Sequence, residues 1–104
     1  MAVISTRDGE VWVVSRGGFA LLIDRARGQL LNNPQLLNDL DAAKALDGLH
    51  LELMRERDRT SVTLALIASI DGLLTELDIQ AAEPRVASYI SLLKELRDLV
   101  TRDA

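Results

Sequence analysis

The chain has 104 residues, of which 48% are hydrophobic and 27% are charged, and its formal net charge is −4. This length predicts one domain over residues 1–104, and the composition is that of a folded protein and excludes disorder. The absence of cysteine excludes disulfides and thiolate metal sites, and the acidic balance disfavours nucleic acid as a partner while leaving it open.

Membrane and secretory signals are missing from the sequence. No apolar run approaches the roughly 18 residues that a membrane span needs. The N-terminus lacks a basic region followed by an uninterrupted apolar stretch, which a signal peptide requires. We therefore expect no membrane partner and a cytoplasmic location.

The N-terminal residues 1–32 are expected to be rich in β-structure. The turn signal Asp8-Gly9 separates an apolar start from the β-branched and aromatic residues 11–14. This pattern predicts a β-hairpin over residues 2–15, with an irregular arm as the alternative. The edge of such a hairpin can accept a strand from a partner protein.

The apolar run after the Gly17-Gly18 break fits either a strand or a helix. We favour a third strand over residues 19–24, which would complete a three-stranded meander, because Gly28 then lies in a turn. The helical alternative rests on apolar residues spaced three and four apart, namely Phe19, Leu22, Ile23, Ala26 and Leu30.

The next segment predicts one long helix over residues 34–59. Asn33 is a good N-cap, and Pro34 suits the first helical position because its missing N–H has no partner there. Gly48 costs about 1 kcal/mol relative to alanine, so the helix can bend or end there. Thr60 or Ser61 would then cap the following helix.

Residues 61–101 predict two amphipathic helices joined by a connector, so that the last two helices form an antiparallel helical hairpin. The two apolar stripes, which are candidates for the core or an oligomer interface, are Leu66, Ile70, Leu73 and Leu77, then Val86, Ile90, Leu93, Leu96 and Val100. Such faces bury best against each other or against copies of themselves. The predicted fold is α+β and mostly helical, with an N-terminal β-hairpin followed by about three helices.

The C-terminal hairpin resembles that of small actinobacterial and actinobacteriophage proteins, among them small terminase subunits. The likeness rests on Thr63-Leu64-Ala65, Leu73-Leu74-Thr75-Glu76-Leu77 and Ser91-Leu92-Leu93-Lys94-Glu95-Leu96-Arg97-Asp98-Leu99. It implies a phage protein that forms rings, recognises viral DNA and passes it to a packaging motor. In that family a helix-turn-helix module precedes the hairpin, whereas here a β-hairpin and a long helix do, so oligomerisation is the property we carry over.

Catalytic and metal-binding patterns are weak. His50 is the only histidine, and on a helix Glu52 would point away from it while Glu56 would lie too far along. We therefore expect a boundary histidine, no metal, no cofactor and no enzyme activity.

The candidate partner contacts lie in the N-terminal third of the chain, namely Trp12, Phe19, Arg16, Arg25 and Arg27. Tryptophan is enriched at binding hot spots, so an exposed Trp12 would suit a partner interface. We favour the other interpretation, in which Trp12 covers the helical core. Together with Arg7, these arginines are the best candidates for nucleic-acid contact, although acidic residues interrupt them.

Together these patterns predict a non-catalytic interaction or adaptor protein that forms a homo-oligomer through amphipathic helices and binds another protein. One alternative is a DNA-packaging protein or nucleic-acid-associated regulator. Another is a small acidic inhibitor resembling an antitoxin.

Overall fold

The computed structural model describes residues 1–103 and combines a three-stranded sheet with four helices, which confirms the α+β, mostly helical fold class. In chain order the elements are β1 (Ala2–Ser5), β2 (Val11–Val14), α1 (Arg16–Gly28), α2 (Pro34–Leu46), β3 (Gly48–His50), a 3-10 turn (Leu51–Leu53), α3 (Glu56–Leu77), a second 3-10 turn (Asp78–Gln80) and α4 (Pro84–Asp103).

Strands β1 and β2 form the predicted hairpin. They pair antiparallel, with Ile4 opposite Trp12. Gly9 has φ of 84°, a left-handed conformation that favours glycine. The Thr6 N–H closes the turn by donating to the Glu10 carbonyl oxygen at 2.8 Å. The Asp-Gly signal therefore identified this turn correctly.

The third strand comes from a different segment than predicted. β3 pairs in parallel with β1, so the strand order is β2-β1-β3 and the sheet is not a meander. Residues 19–24 belong to α1, whose first turn is capped by Ser15, because the Ser15 hydroxyl accepts from the Gly18 N–H at 3.1 Å. The alternative prediction, a helix after Gly17-Gly18, is therefore confirmed. The apolar residues that suggested it lie on one buried face of α1, namely Phe19, Leu22, Ile23 and Ala26.

The prediction of one helix over residues 34–59 is wrong, because α2 ends at Leu46. The alternative, that the helix ends near Gly48, is close to what the structure shows. Asp47 takes a left-handed conformation with φ of 55° and ψ of 33°, and its N–H donates to the Ala43 carbonyl oxygen. The Asp47 carbonyl oxygen in turn accepts from the Val3 N–H at 3.0 Å. This contact directs the chain after α2 alongside β1, where it becomes β3.

Helix starts were predicted with mixed success. Asn33 caps α2 as expected, since its side-chain oxygen accepts from the Leu36 N–H at 3.2 Å. By contrast, α3 begins at Glu56, earlier than the predicted caps Thr60 and Ser61. Both hydroxyls instead donate to backbone carbonyl oxygens four residues earlier within the helix.

The buried apolar side chains form one cluster to which all three strands and all four helices contribute. Helices α3 and α4 pack against each other, and α1 packs against α3. Two partly buried hydrogen bonds join α4 to β2 and α1. The Trp12 Nε1–H donates to the Leu92 carbonyl oxygen at 2.7 Å, and the Tyr89 hydroxyl donates to the Gly18 carbonyl oxygen at 2.6 Å.

Candidate functional site

The two apolar stripes of the helical hairpin lie mostly inside the protein. Six of the nine residues are buried, namely Leu66, Ile70, Leu73, Leu93, Leu96 and Val100. Leu77, Val86 and Ile90, near the connector, are half-buried. The stripes therefore form the core of one protomer, and the six buried residues offer no surface through which a second copy could bind.

Trp12 and Phe19 are core residues. Their exposed fractions are 1% and 0%, so neither side chain can reach a partner. The favoured interpretation of Trp12 matches the structure, because its ring packs in the core and its Nε1–H is paired with Leu92. The prediction of these two side chains as partner contacts is corrected accordingly.

The three candidate arginines remain at the surface, but each pairs with a carboxylate. Arg16 Nε lies 2.7 Å from Asp47 Oδ2, and Arg27 Nε lies 2.8 Å from Asp41 Oδ1. Arg25 makes a two-pronged contact with Glu76 on α3.

The Arg25–Glu76 contact shifts the pKa of both side chains. The hydrogen bond between them lowers the pKa of Glu76 below its ordinary value and raises that of Arg25. A phosphate backbone that binds these arginines would have to displace three acidic side chains, which weakens the case for nucleic acid.

A polar cluster of Ser5, His50 and Glu52 joins β1 to the chain that follows β3. The Ser5 hydroxyl donates to Glu52 Oε1 at 2.8 Å and lies 2.7 Å from His50 Nδ1. Since the single hydroxyl proton goes to the carboxylate, Nδ1 carries a proton and donates to the serine oxygen. The expectation that Glu52 points away from His50 is wrong, because these residues are in a strand and a 3-10 turn and not in one α-helix.

This cluster differs from a catalytic triad in its order. In a triad the histidine stands between serine and carboxylate and withdraws the serine proton. Here the serine lies between the other two residues, and its hydroxyl donates its hydrogen bond to Glu52 and not to His50. Within residues 1–103 no group of three histidine, aspartate or glutamate side chains could hold a metal ion. The two contacts of Ser5 join β1 to the segment after β3.

One apolar surface is the outer face of the sheet, where three valines are neighbours. We call Val3, Val11 and Val13 the valine face. Val3 lies opposite Val13 in the pairing of β1 with β2, and Val11 lies opposite Ser5. Val11 and Val13 are 57% and 41% exposed, whereas the alternate residues of β2 are buried in the core.

The valine face adjoins a free edge of the sheet. Because the strand order is β2-β1-β3, β2 is paired on one side only. An edge strand with apolar side chains is a template for pairing with another strand, and natural proteins usually protect it with charge or proline. Neither lysine nor proline occurs among residues 11–14. Sequence reasoning missed Val11 and Val13, because all four residues of β2 are apolar and no alternation marks the outer side.

Comparison with known proteins adds no relative: the chain matches no protein-family model, no curated protein and no solved structure. The resemblance to small terminase subunits therefore stays a prediction. Among the described helices, none has the combination of length and hydropathy that crossing a membrane requires.

Proposed function

We propose that this chain is a non-catalytic interaction and assembly protein that pairs with a second copy of itself through the edge of β2. The observation that carries the proposal is the exposure of Val11 and Val13 on an edge strand whose own four residues carry no charge. Self-association was expected from the sequence, but the helical stripes are used inside the protomer. The proposal moves it to the sheet, and keeps the cytoplasm as the expected compartment.

A second copy fits this edge because β2 is nearly self-complementary. Two copies related by a twofold axis perpendicular to the sheet would pair antiparallel and keep both valine faces on the same side. Two registers centred within β2 keep Val11 and Val13 on the outer face and Trp12 and Val14 on the core face in both copies. One places Val13 opposite its own copy, and the other places Trp12 opposite its own copy.

Charge selects between the two registers. With Val13 at the axis, Glu10 comes near Arg16, the first residue of α1, in the second copy. This ion pair would form twice, in exchange for the contacts within one protomer between Arg16 and Asp47 and between Glu10 and Arg102. With Trp12 at the axis, Glu10 lies opposite Val14, which would leave the carboxylate beside an apolar side chain. Opposite charges at the two ends of the paired strands are more favourable than a carboxylate beside a valine, so we propose the register centred on Val13.

The dimer is expected to be weak. A four-residue edge strand and three valines cannot cover the roughly 1,000 Å² that a stable interface needs. A dissociation constant of about 10–100 μM is therefore expected, which corresponds to roughly −5 to −7 kcal/mol. Such an interface would assemble only at high local concentration, as in a larger complex.

The experiment is sedimentation velocity over a concentration series, with Val13→Lys and Val11→Lys as a matched pair. Both valines are exposed, so both variants should fold. In the proposed register Val13→Lys places two ammonium groups side by side at the axis, whereas Val11→Lys faces Ser15 of the other copy. We expect Val13→Lys to weaken the dimer more than tenfold and Val11→Lys to weaken it less.

Two outcomes would count against the proposal. A wild-type protein that stays monomeric at several hundred micromolar would refute pairing through β2. A dimer that tolerates Val13→Lys would show that the contact lies elsewhere, and the half-buried Leu77, Val86 and Ile90 would then be the next surface to vary.

A further inference from the structure

Glu10 and Arg16 lie on either side of β2, and each forms an ion pair within its own protomer. Arg16 Nε lies 2.7 Å from Asp47 Oδ2, and Arg102 Nη2 lies 3.5 Å from Glu10 Oε2. Asp47 is the residue between α2 and β3, and Arg102 belongs to the last turn of α4. The register centred on Val13 would bring the same Glu10 and Arg16 together across the dimer axis.

Both ion pairs direct these side chains away from the free edge of the sheet. Arg16 follows β2 and Asp47 precedes β3, while β1 lies between the two strands. The Arg16 guanidinium therefore reaches across the end of β1 toward the opposite edge. At the other end of β2, the Glu10 carboxylate contacts α4, which packs against β2. Neither side chain can meet a second copy until its own ion pair opens.

The exchange of ion pairs works against the dimer. Each dimer would form two Glu10–Arg16 pairs between copies and would open four pairs within the protomers. The exchange is still accessible, because the side chains of Arg16 and Arg102 are 73% and 64% exposed and exposed ion pairs contribute little to stability. The result is a modest restraint on association, set by the competing charges of Asp47 and Arg102.

We propose that the Arg16–Asp47 and Glu10–Arg102 ion pairs are an autoinhibitory contact that restrains pairing of β2 with a second copy of this chain. The inference rests on the proposed function and adds its regulation. An exposed ion pair shifts an equilibrium by about twofold, and each dimer opens two pairs of each kind, so removing one kind should tighten the dimer about fourfold.

The experiment is sedimentation velocity of the full chain at matched concentrations, with the variants Asp47→Asn and Arg102→Gln. Both changes leave Glu10 and Arg16 in place and remove only a competing charge. Asparagine tolerates the left-handed conformation of Asp47, so this variant should keep its fold. We expect each variant to tighten the dimer about fourfold, and Val13→Lys should still weaken the tightened dimers.

Two control variants separate this restraint from a general effect of charge. Asp41→Asn opens the Arg27–Asp41 pair and Arg97→Gln opens the Arg97–Asp71 pair, and each of these pairs joins two helices. Both controls should leave the affinity of the dimer within about twofold of the wild type. The two test variants change the net charge in opposite directions, so net charge cannot explain a gain that both share.

The outcomes distinguish the restraint from the pairing itself. A wild-type dimer that neither test variant tightens would overturn the restraint and leave pairing through β2 standing. Equal tightening by the two controls would overturn it as well. A wild-type protein that stays monomeric at several hundred micromolar would instead refute the proposed function, and the restraint with it.

Discussion

Gly18 is expected to be the glycine that the fold can least replace. A Cβ atom at this position would lie 2.7 Å from Tyr89 Cε1, 3.1 Å from Val14 Cγ2 and 3.2 Å from Ser15 Oγ. The tyrosine ring cannot simply retreat, because its hydroxyl donates to the Gly18 carbonyl oxygen at 2.6 Å. Gly17, one residue earlier in the same helical turn, has no atom within 4 Å of the equivalent position.

The cost of Gly18→Ala follows from three contributions. Overpacking costs about 1–3 kcal/mol, and a strained or lost tyrosine hydrogen bond costs about 1 kcal/mol more. The better helix propensity of alanine returns at most about 1 kcal/mol. We therefore expect Gly18→Ala to lower the free energy of unfolding by about 1–4 kcal/mol. Gly17→Ala gains only the helix propensity and should raise it by about 0.5–1 kcal/mol.

Urea denaturation followed by far-ultraviolet circular dichroism measures both effects, since a chain of this size usually unfolds in one step. Tyr89→Ala provides the internal check, because removing the ring should remove most of the penalty at Gly18. If Gly18→Ala were as stable as Gly17→Ala, or if its penalty persisted without the Tyr89 ring, the close packing of α4 against α1 would be wrong.

Three further predictions concern the same core and its surface. Trp12→Phe loses the hydrogen bond to Leu92 and some packing, and should lower the free energy of unfolding in urea by about 1–3 kcal/mol. The fluorescence of the wild-type protein should be that of a buried indole, and the spectrum of a solvent-exposed indole would contradict the fold. Burial raises the pKa of Tyr89 to about 12 from its ordinary 10.0, so folding favours the neutral hydroxyl. This contribution to stability should be complete below about pH 10 and lost between about pH 10 and 12. The assay is an absorbance titration of the only tyrosine, and a midpoint near 10 in the folded protein would refute the prediction. The hydrogen bond from Arg97 lowers the pKa of Asp71 below its ordinary 3.8. The stability that this pair provides is therefore present above pH 3.8 and is lost as the pH falls through the lowered pKa of Asp71. Asp71→Asn should reduce the acid dependence of unfolding, and an unchanged dependence would show that the pair contributes nothing.

The parts of the fold that the sequence predicted correctly depend on local chemistry. Asp8-Gly9 marked the hairpin turn and Asn33-Pro34 marked the start of α2, because each signal acts within a few residues. The helical stripes were also recognised, since their spacing reports the buried side of α3 and α4. What the stripes could not tell is whether that side packs within the protomer or against a copy.

The parts that were missed depend on contacts between distant segments. The parallel pairing of β3 with β1 joins residues more than forty positions apart, and nothing near residues 48–50 announces a strand. The same pairing brings His50 and Glu52 to Ser5, which a helical interpretation of that segment had separated.

Charge exchange across β2 tests the central claim most directly. Pairing through the β2 edge in the register centred on Val13 requires Glu10 of one copy to meet Arg16 of the other. Sedimentation velocity should show that Glu10→Arg and Arg16→Glu each weaken the dimer, because like charges then face each other, and that the double variant regains most of the lost affinity. Two single variants that dimerise like the wild type, or a double variant weaker than both, would contradict assembly through this strand.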